Sequence, residues 1–429
     1  MGQIFNHNTG KALNKTNSSG TNLSYITTSN LYWGSFELDT LKQMYFTESE
    51  IEKCTVRHGD LLVCEGGDIG RAAIWNYDYE IRIQNHIHKL RPFLGVNVKL
   101  YFYVFWLYKF SGRISGKGIG IQGLSSNQLH NIIIPLPPLQ EQNHIVSKIN
   151  KLLNIVDTIE INKTDLQSTV QQAKSKILDL AIQGKLVPQD PNDEPASVLL
   201  ERIRAEKEEL IKQGKIKRDK KESVIFKSED NSYYEKIGDE IICIDEEIPF
   251  ELPAGWAWDR MGNITSIARG GSPRPIKSYL TDEANGVNWI KIGDTEKNGK
   301  YIFSTKEKIK LEGVAKSRFV KSGDFLLTNS MSFGRPYILK TDGCIHDGWL
   351  VIGDIENVFN QDYLYYALSA DFMYKTLSAL ASGSTVDNLN SDLVKSLLFP
   401  IPPFKEQVRI SQEVCRIETI LSSVEANLI

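Results

Sequence analysis

The stretch Pro135-Leu-Pro-Pro-Leu-Gln-Glu-Gln142 occurs a second time, slightly changed, as Pro400-Ile-Pro-Pro-Phe-Lys-Glu-Gln407. Upstream of each stretch, Gly59–Arg71 aligns without gaps on Gly323–Arg335. The two matches occur in the same order, and the distance in residues between the two copies is nearly the same for both matches. A period this long indicates a duplicated domain rather than a solenoid, so the sequence predicts two copies of one structural unit.

A third match supports the duplication, because Met1–Ile4 resembles Met261–Ile264. Within each copy, short apolar runs after Gly-Asp turns read as strands, as at Asp60–Val63. Runs stopped by proline, such as Ile132–Pro135 and Leu397–Pro400, also read as strands, whereas Tyr101–Phe110 and Tyr363–Ala370 read as helices. The fold class is therefore α+β, with two duplicated mixed α/β domains.

A long helix is predicted after each Pro-Pro pair. In the first copy, apolar residues alternate at spacings of four and three, with Lys163 at one position of the pattern, which is a heptad pattern: Ile145, Ile149, Leu152, Val156, Ile159, Leu166, Val170, Ala173, Ile177 and Leu180. The second copy repeats the pattern over fewer heptads: Ile410, Val414, Ile417, Leu421, Val424 and Leu428. Since a narrow apolar stripe cannot bury itself, we expect the two helices to form an antiparallel coiled coil that separates the domains.

In antiparallel order, the start of the second helix near Glu406 lies against the end of the first helix near Leu180. The second helix is shorter, so Ile145–Ile159 is expected to stay uncovered by it. Ile149 and Val156 are therefore predicted to belong to an interface with a second chain, either a partner subunit or another copy. The sequence leaves open whether a chain with such unequal helices assembles.

These patterns divide the chain into five segments. They are a first globular domain (1–138), a first heptad helix (139–187), a linker with a charged helix (188–250), a second globular domain (251–402) and a second heptad helix (403–429).

Composition excludes several classes of protein. The chain has 429 residues, of which 41% are hydrophobic and 24% charged, as in ordinary folded proteins. The longest strongly apolar run, Tyr101–Tyr108, is far shorter than a membrane span. The five cysteines are scattered and form no C-x-x-C pair, so a zinc site and a disulfide framework are not indicated and a cytoplasmic location fits best.

Catalytic motifs are suggested only superficially. Gly118–Gly123 satisfies G-x-G-x-x-G but lacks the strand-to-helix context of a dinucleotide site. The residues before the Pro-Pro pairs, Leu136 and Ile401, cannot bond the amine of a flipped base as an adenine methyltransferase loop would. In Cys344-Ile-His-Asp347, a possible nucleophile, base and acid are neighbours along the chain. Adjacency in sequence does not produce the geometry of a catalytic triad. We predict neither a catalytic residue nor a metal ligand in this chain.

A binding function is better supported. The net charge is only −3, yet residues 81–120 carry seven Lys or Arg and no Asp or Glu. Both copies share a Gly-Asp…Gly-Arg framework around loops of small and polar residues that differ between the copies, which suits contacts to DNA bases and phosphates. The predicted DNA-binding residues are Gly66, Gly67, Arg71, Lys89, Arg91, Arg113, Lys117, Arg269, Ser272, Arg274, Lys277, Asn329, Ser330, Ser332 and Arg335.

Together these features resemble the DNA specificity (S) subunit of type I restriction-modification systems. The resemblance rests on Ile134–Gln142 and its echo Ile401–Gln407, on Gly184–Ala196 as a central linker, and on Leu252–Trp256 before the second domain. It covers nearly the whole chain and is specific in combination.

The resemblance implies a non-catalytic subunit whose two target-recognition domains each read one half of a split, asymmetric DNA site, with the helices acting as a ruler. It implies double-stranded DNA, methyltransferase (M) subunits and restriction/translocase (R) subunits as partners. S-adenosylmethionine, ATP and Mg would belong to those partner subunits. The alternatives are a protein-interaction scaffold that does not bind DNA and, more weakly, an adenine methyltransferase.

Overall fold

The computed structural model describes residues 1–13, 19–93, 95–114, 123–218, 222–296, 299–329, 334–382 and 389–428. The chain divides into two compact units, unit 1 (Met1–Asn162) and unit 2 (Lys163–Ile429). No helix in these described ranges is long and apolar enough to cross a membrane.

The described part of unit 1 contains two four-stranded sheets, one two-stranded sheet and the helices that pack against them. Its strands are β1 (Phe5–Thr9), β2 (Thr21–Ile26), β3 (Leu31–Tyr32), β4 (Ser35–Phe36), β5 (Lys42–Phe46), β6 (Thr55–Val56), β7 (Leu61–Cys64), β8 (Ala72–Ile74), β9 (Ile81–Ile83) and β10 (Ile87–Pro92). Its helices are α1 (Glu48–Cys54), α2 (Val98–Phe110), α3 (Ser126–His130) and the first part of α4 (Leu139–Ile182), which continues into unit 2.

Unit 2 repeats this plan after a charged helix, α5 (Ala196–Lys212). Its strands are β11 (Ser223–Lys227), β12 (Tyr233–Ile237), β13 (Glu240–Cys243), β14 (Ala257–Arg260), β15 (Ser266–Arg269), β16 (Leu280–Thr281), β17 (Val287–Ile290), β18 (Tyr301–Ile302), β19 (Glu307–Ile309), β20 (Arg318–Val320), β21 (Phe325–Thr328), β22 (Pro336–Leu339), β23 (Gly343–Ile345), β24 (Trp349–Gly353) and β25 (Leu398–Ile401). Its further helices are α6 (Met261–Ile264), α7 (Leu311–Val314), α8 (Gln361–Ser369), α9 (Asp371–Ser382), α10 (Ser391–Lys395) and α11 (Phe404–Ala426).

The sheet topology confirms the duplication predicted from the repeated motifs. One sheet has the order β1-β10-β7-β8 in unit 1 and β15-β24-β21-β22-β18 in unit 2. The other has the order β5-β2-β9-β6 in unit 1 and β16-β19-β17-β23-β20 in unit 2. In this other sheet a parallel pair is repeated as well, because β2 runs parallel to β9 and β17 runs parallel to β23. The α+β fold class is thus confirmed.

Apolar strands form the core of both units. Every residue of β7 and of β21 is buried, as expected for the short apolar runs that follow the Gly-Asp turns. Trp75 in unit 1 and Trp349 in unit 2 are completely buried. The predicted helices around Tyr101–Phe110 and Tyr363–Ala370 are confirmed as α2 and α8, and an asparagine caps each of them.

The glutamine that ends each repeated motif joins the long helix to its own domain. Gln407 Oε1 accepts a hydrogen bond from the backbone N–H of Asn360, the cap of α8, and its Nε2 donates to Val358 O and Pro402 O. Gln142 Oε1 accepts from the N–H of Asn97, the cap of α2. Both glutamines are almost fully buried. The motif is therefore a structural joint between the domain and the helix.

The predicted antiparallel pairing of the two heptad helices is confirmed within unit 2. Near the far end of α11, Glu425 accepts hydrogen bonds from Gln171 and Lys174 of α4 at 2.6 Å each. At the other end, Ile410 of α11 shares a hydrophobic cluster with Ile182 of α4. Gly184 follows α4 with φ 66°, and a Cβ there would lie 2.4 Å from Pro253, so glycine fits this position best.

Two expectations about secondary structure are corrected. The linker between the domains also contains a three-stranded antiparallel sheet, β11-β12-β13, which packs on Trp258 through Tyr233 and Ile225. The predicted strand at Ile132–Pro135 is absent, although its counterpart forms β25 in unit 2. β25 exists because β14 pairs with it, and the described part of unit 1 provides no such partner strand.

Candidate nucleic-acid interface

Equivalent main-chain hydrogen bonds close one loop in each unit, and these two loops carry several of the predicted contacts. The first loop is Glu65–Ile69, and the second spans 329–333, of which only Asn329 lies within the described residues. Two bonds at the base of each loop link equivalent residues, Cys64 N–Arg71 O and Gly70 N–Cys64 O in unit 1, and Thr328 N–Arg335 O and Gly334 N–Thr328 O in unit 2. The shared Gly-Asp…Gly-Arg pattern is therefore a common support for two different loops.

The first loop presents backbone at the surface of unit 1. Gly67 is exposed with φ 72°, Gly66 is half-buried, and a Cβ added at either glycine would have no neighbouring atom within 4 Å. The carboxylate of Asp68 pairs with Lys109 of α2 at 2.8 Å, and Lys109 also donates to Ile69 O. The loop is thus fixed to α2 while its glycines leave room for a ligand to approach the main chain.

Arg71 ends the first loop and is half-buried. Its Nη2 donates to Thr28 O at 2.6 Å, and its guanidinium carbon lies 5.4 Å from the centre of the Tyr32 ring. The equivalent Arg335 in unit 2 is exposed, and its backbone N–H is bonded to Thr328 Oγ1. Of the two arginines, Arg335 has the side chain more accessible to a phosphate or a base.

Lys89 and Arg91 do not fit the predicted role in DNA binding. Lys89 is 2% exposed, and its ammonium donates to Lys53 O and Thr55 O. Arg91 forms a bidentate ion pair with the buried carboxylate of Asp60. The prediction that Lys89 contacts DNA is wrong because its ammonium satisfies backbone carbonyls inside the domain, and Arg91 is held by the carboxylate of the Gly-Asp turn.

The other predicted contacts of unit 1 and of the second loop are only partly described. Arg113 is exposed and stacks its guanidinium on Tyr108 at 5.2 Å from the ring centre. Lys117, Ser330 and Ser332 lie outside the described residues, as does most of the Gly118–Gly123 motif.

In unit 2, segments distant in sequence meet at Asp347. Its backbone oxygen accepts hydrogen bonds from Arg269 Nε at 2.9 Å and from Asn329 Nδ2 at 2.8 Å. Its carboxylate accepts from Ser272 Oγ at 2.6 Å and lies 3.3 Å from Arg274 Nη2. We call these five residues the Asp347 cluster. Four of them are predicted DNA contacts, and the structure brings these four together.

Asn329 is predicted to contact DNA, but its side chain lies inside the domain. It is 2% exposed and holds the main chain of the cluster, since its N–H bonds to Gly348 O and its own carbonyl accepts from Leu389 N. Its side chain therefore supports the site from beneath. Arg269 and Arg274 are the cluster residues whose cationic groups reach solvent.

Further cations surround the Asp347 cluster. Arg318 Nε donates to Arg269 O at 2.9 Å, and Lys277 is exposed on the same turn-rich segment as Arg274. Lys316 bonds the hydroxyl of Tyr279 and lies over its ring. This exposed, mostly cationic surface has the composition expected for contacts to a phosphate backbone.

Sequence reasoning missed Asp347, Arg318 and Tyr279 as parts of this surface. In the sequence, Asp347 stands out only as a possible triad member, because Cys344 and His346 are its neighbours. The signal that could find it is the repeat itself, since Asp347 lies just before β24 where unit 1 has Asn85 and His86 before β10.

Asp347 carries a negative charge at neutral pH. Its hydrogen bond from Ser272 lowers the pKa of the carboxyl group most, and the nearby charges of His346 and Arg274 lower it further. The cluster therefore combines one fixed anion with several cations.

Comparison with known proteins identifies a family that matches both repeated domains. Residues 1–171 and 253–426 match the family described as "Type I restriction modification DNA specificity domain". The EcoAI specificity subunit of Escherichia coli is 36% identical over 178 residues, which are 32% of this chain and 27% of that protein. The EcoEI specificity subunit of Escherichia coli is 43% identical over 128 residues, or 30% of this chain and 17% of that protein. The matched parts are thus less than a third of these relatives.

Solved structures share the fold over the whole chain. The HsdS subunit from Thermoanaerobacter tengcongensis matches with a TM-score of 0.59 at 16% identity, covering 100% of this chain and 90% of that one. A chain from a study of the assembly of the type I R-M system matches with a TM-score of 0.53 at 17% identity, covering 100% of this chain and 91% of that one. The family match on both repeated domains and this shared fold show that the chain belongs to the family of type I restriction-modification DNA specificity proteins.

Proposed function

We propose that this chain is the DNA-reading subunit of a type I restriction-modification complex, with unit 1 and unit 2 each reading one half of a bipartite, asymmetric target. The observation that carries the proposal is the pair of loops that differ in sequence but are closed by equivalent main-chain bonds. Two different recognition surfaces on one repeated support suit a target with two unlike halves.

The chain acts as a specificity subunit and is not an enzyme. Methyl transfer with S-adenosylmethionine, and DNA translocation and cleavage with ATP and Mg, belong to M and R subunits. Within the described residues, no group of three or more His, Cys, Asp or Glu side chains is arranged to hold a metal ion.

We propose that α4 docks an M subunit through its uncovered apolar stripe in unit 1. The side chains of Leu152, Val156 and Ile159 are 62%, 50% and 60% exposed, respectively, and recur at heptad spacing. Ile149, one heptad before Val156, is half-buried on the same stripe. An exposed apolar row of this kind is typical of an interaction surface, and a helix of the partner would cover it in coiled-coil fashion.

The test of the DNA-reading role is a methylation map. The gene is expressed with its cognate M subunit in a host without related systems, and methylated adenines are located across the genome. We expect one bipartite motif that requires this chain. Arg335→Ala should disturb only the half of the motif that unit 2 reads. Methylation independent of this chain, or a motif that is not divided in two, would contradict the proposal.

A further inference from the structure

Asp347 is an anion at the centre of an otherwise cationic surface. Its side chain is 43% exposed, while that of the neighbouring Arg274 is 78% exposed. The fold needs the backbone oxygen of Asp347, which Arg269 and Asn329 use, and does not need the carboxylate for those two bonds. A residue with no charge would serve the same support, so the carboxylate requires its own explanation.

Against DNA, a carboxylate cannot contact the backbone, because phosphate oxygens repel it. Its direct partners are hydrogen-bond donors on base edges, of which the N2 amino group of guanine lies in the minor groove. In the major groove those donors are the N4 amino group of cytosine and the N6 amino group of adenine. Adenine also presents the acceptor N7 beside its N6 amino group, which repels a group that has no proton to donate. A carboxylate therefore favours cytosine, whereas a side-chain amide suits adenine.

We propose that Asp347 determines specificity in the half-site of unit 2 by accepting, in the major groove, a hydrogen bond from N4 of a cytosine. This inference rests on the proposed DNA-reading function and names one of its specificity-determining residues.

The contacts of Asp347 in the free protein fit this role. Ser272 Oγ fixes one carboxylate oxygen at 2.6 Å and orients the group, while Arg274 lies further away at 3.3 Å from the other oxygen. When DNA binds, a phosphate competes for the exposed guanidinium of Arg274, and the second oxygen becomes available to the base. The exposed Arg274–Asp347 pair is weak, so its release costs little when DNA binds.

The test is selection from a randomised double-stranded DNA library. The full chain, in complex with its cognate M subunit, is used as wild type and as Asp347→Asn. We expect the wild type to require cytosine at one position of one half-site. In Asp347→Asn, preference for cytosine over adenine at that position should fall by about 5- to 150-fold. Every position of the other half-site should stay unchanged.

Two further variants make the result decisive. Glu312→Gln, in the exposed first turn of α7, removes one negative charge from the same unit and should leave the motif unchanged. Ser272→Ala releases the carboxylate and should weaken discrimination at the same position alone. If Asp347→Asn selects the wild-type motif with only a uniform gain in affinity, the inference is wrong although the proposed function stands. If the wild-type complex selects no bipartite motif, the proposed function itself fails, and the inference fails with it.

Discussion

At the scale of single residues, the buried glutamines of the repeated motif have the clearest energetic consequence. Gln407→Ala leaves the N–H of Asn360 and two buried carbonyls without their side-chain partner. At about 1–3 kcal/mol for each unsatisfied buried group, we expect a loss of roughly 3–5 kcal/mol in the free energy of unfolding, since partial rearrangement recovers some of it. Urea denaturation followed by fluorescence measures the loss.

The same helix offers a matched control for this experiment. Gln412 lies on the exposed side of α11, and Gln412→Ala should change the free energy of unfolding by less than about 0.5 kcal/mol. Equal losses in the free energy of unfolding for the two substitutions would mean that the hydrogen bonds of Gln407 do not stabilise the fold.

Three histidines in unit 1 predict a pH dependence of stability. His88 Nε2 bonds Leu124 O, which can only accept, so its Nδ1 accepts from His7 Nε2 at 2.8 Å, and His7 Nδ1 accepts in turn from His130 at 3.0 Å. Burial and the neighbouring histidines lower the pKa of His7 to about 4, well below the ordinary value of about 6.5. The folded form thus binds this proton less readily than the unfolded form.

Stability from this chain of histidines is therefore full above about pH 6.5 and is lost as the pH falls towards about 4. We expect the unfolding midpoint of the wild type to drop between pH 7 and pH 5. In His7→Gln the drop should be smaller, whereas exposed His144→Gln should retain the wild-type drop. An identical pH profile for all three proteins would show that His7 titrates normally.

Residues differ in how far sequence alone can place them. Arg269, Ser272 and Arg274 can be recognised because a turn-rich basic segment is a local signal. The prediction for Lys89 is wrong because a basic run does not reveal which of its side chains point into the domain along β10. Asp347 escapes notice because its partners lie at positions 269–274 and 329, and only folding brings them together.

At the scale of elements, the heptad pattern predicts both long helices, and the duplication of the unit within one chain predicts their antiparallel order. It succeeds because a coiled coil repeats one local rule over many turns. The β11-β12-β13 sheet escapes prediction, because its short strands carry charges that also suit a solvated linker. The prediction of a strand at Ile132–Pro135 is wrong for another reason. A strand needs a partner strand, and sequence periodicity does not reveal whether one is present.

The uncovered part of α4 gives the prediction at this scale. Ile149→Lys with Val156→Lys should reduce binding of the M subunit at least about tenfold, because two charges would enter an apolar contact. The fold should persist, as Val156 is half exposed. Ser147→Lys with Asn154→Lys adds the same charges one heptad apart on exposed polar positions of α4, and should bind normally.

Binding is measured by sedimentation of the chain with and without the M subunit. Wild-type chain that sediments as a stable dimer alone, and as a monomer after the Ile149 and Val156 substitutions, would assign the stripe to a second copy. Unchanged association in every variant would contradict an interface on this stripe.

At the scale of the whole molecule, the near-neutral net charge of −3 hides a local asymmetry. If the cationic surface around the Asp347 cluster contacts phosphates, the logarithm of DNA affinity should fall linearly with the logarithm of salt concentration. Lys277→Ala should reduce the magnitude of that slope by about 0.9 and lower the affinity for all DNA sequences alike. Fluorescence anisotropy at several salt concentrations measures the slope, and a loss confined to the cognate sequence would assign Lys277 to base reading instead.

The bonds that close the two loops also bear on how this protein can change over generations. Cys64 with Gly70, and Thr328 with Gly334, close their loops through main-chain atoms, and the two glycines have φ 80° and φ 77°, which favour glycine at these positions. Under the proposed function, substitutions in these loops at positions other than the buried Ile69 and Asn329 would alter recognition while the main-chain bonds that close the loops remain. If each unit reads its own half-site, as we propose, a new DNA target would arise from changes in one unit while the other unit stays as inherited.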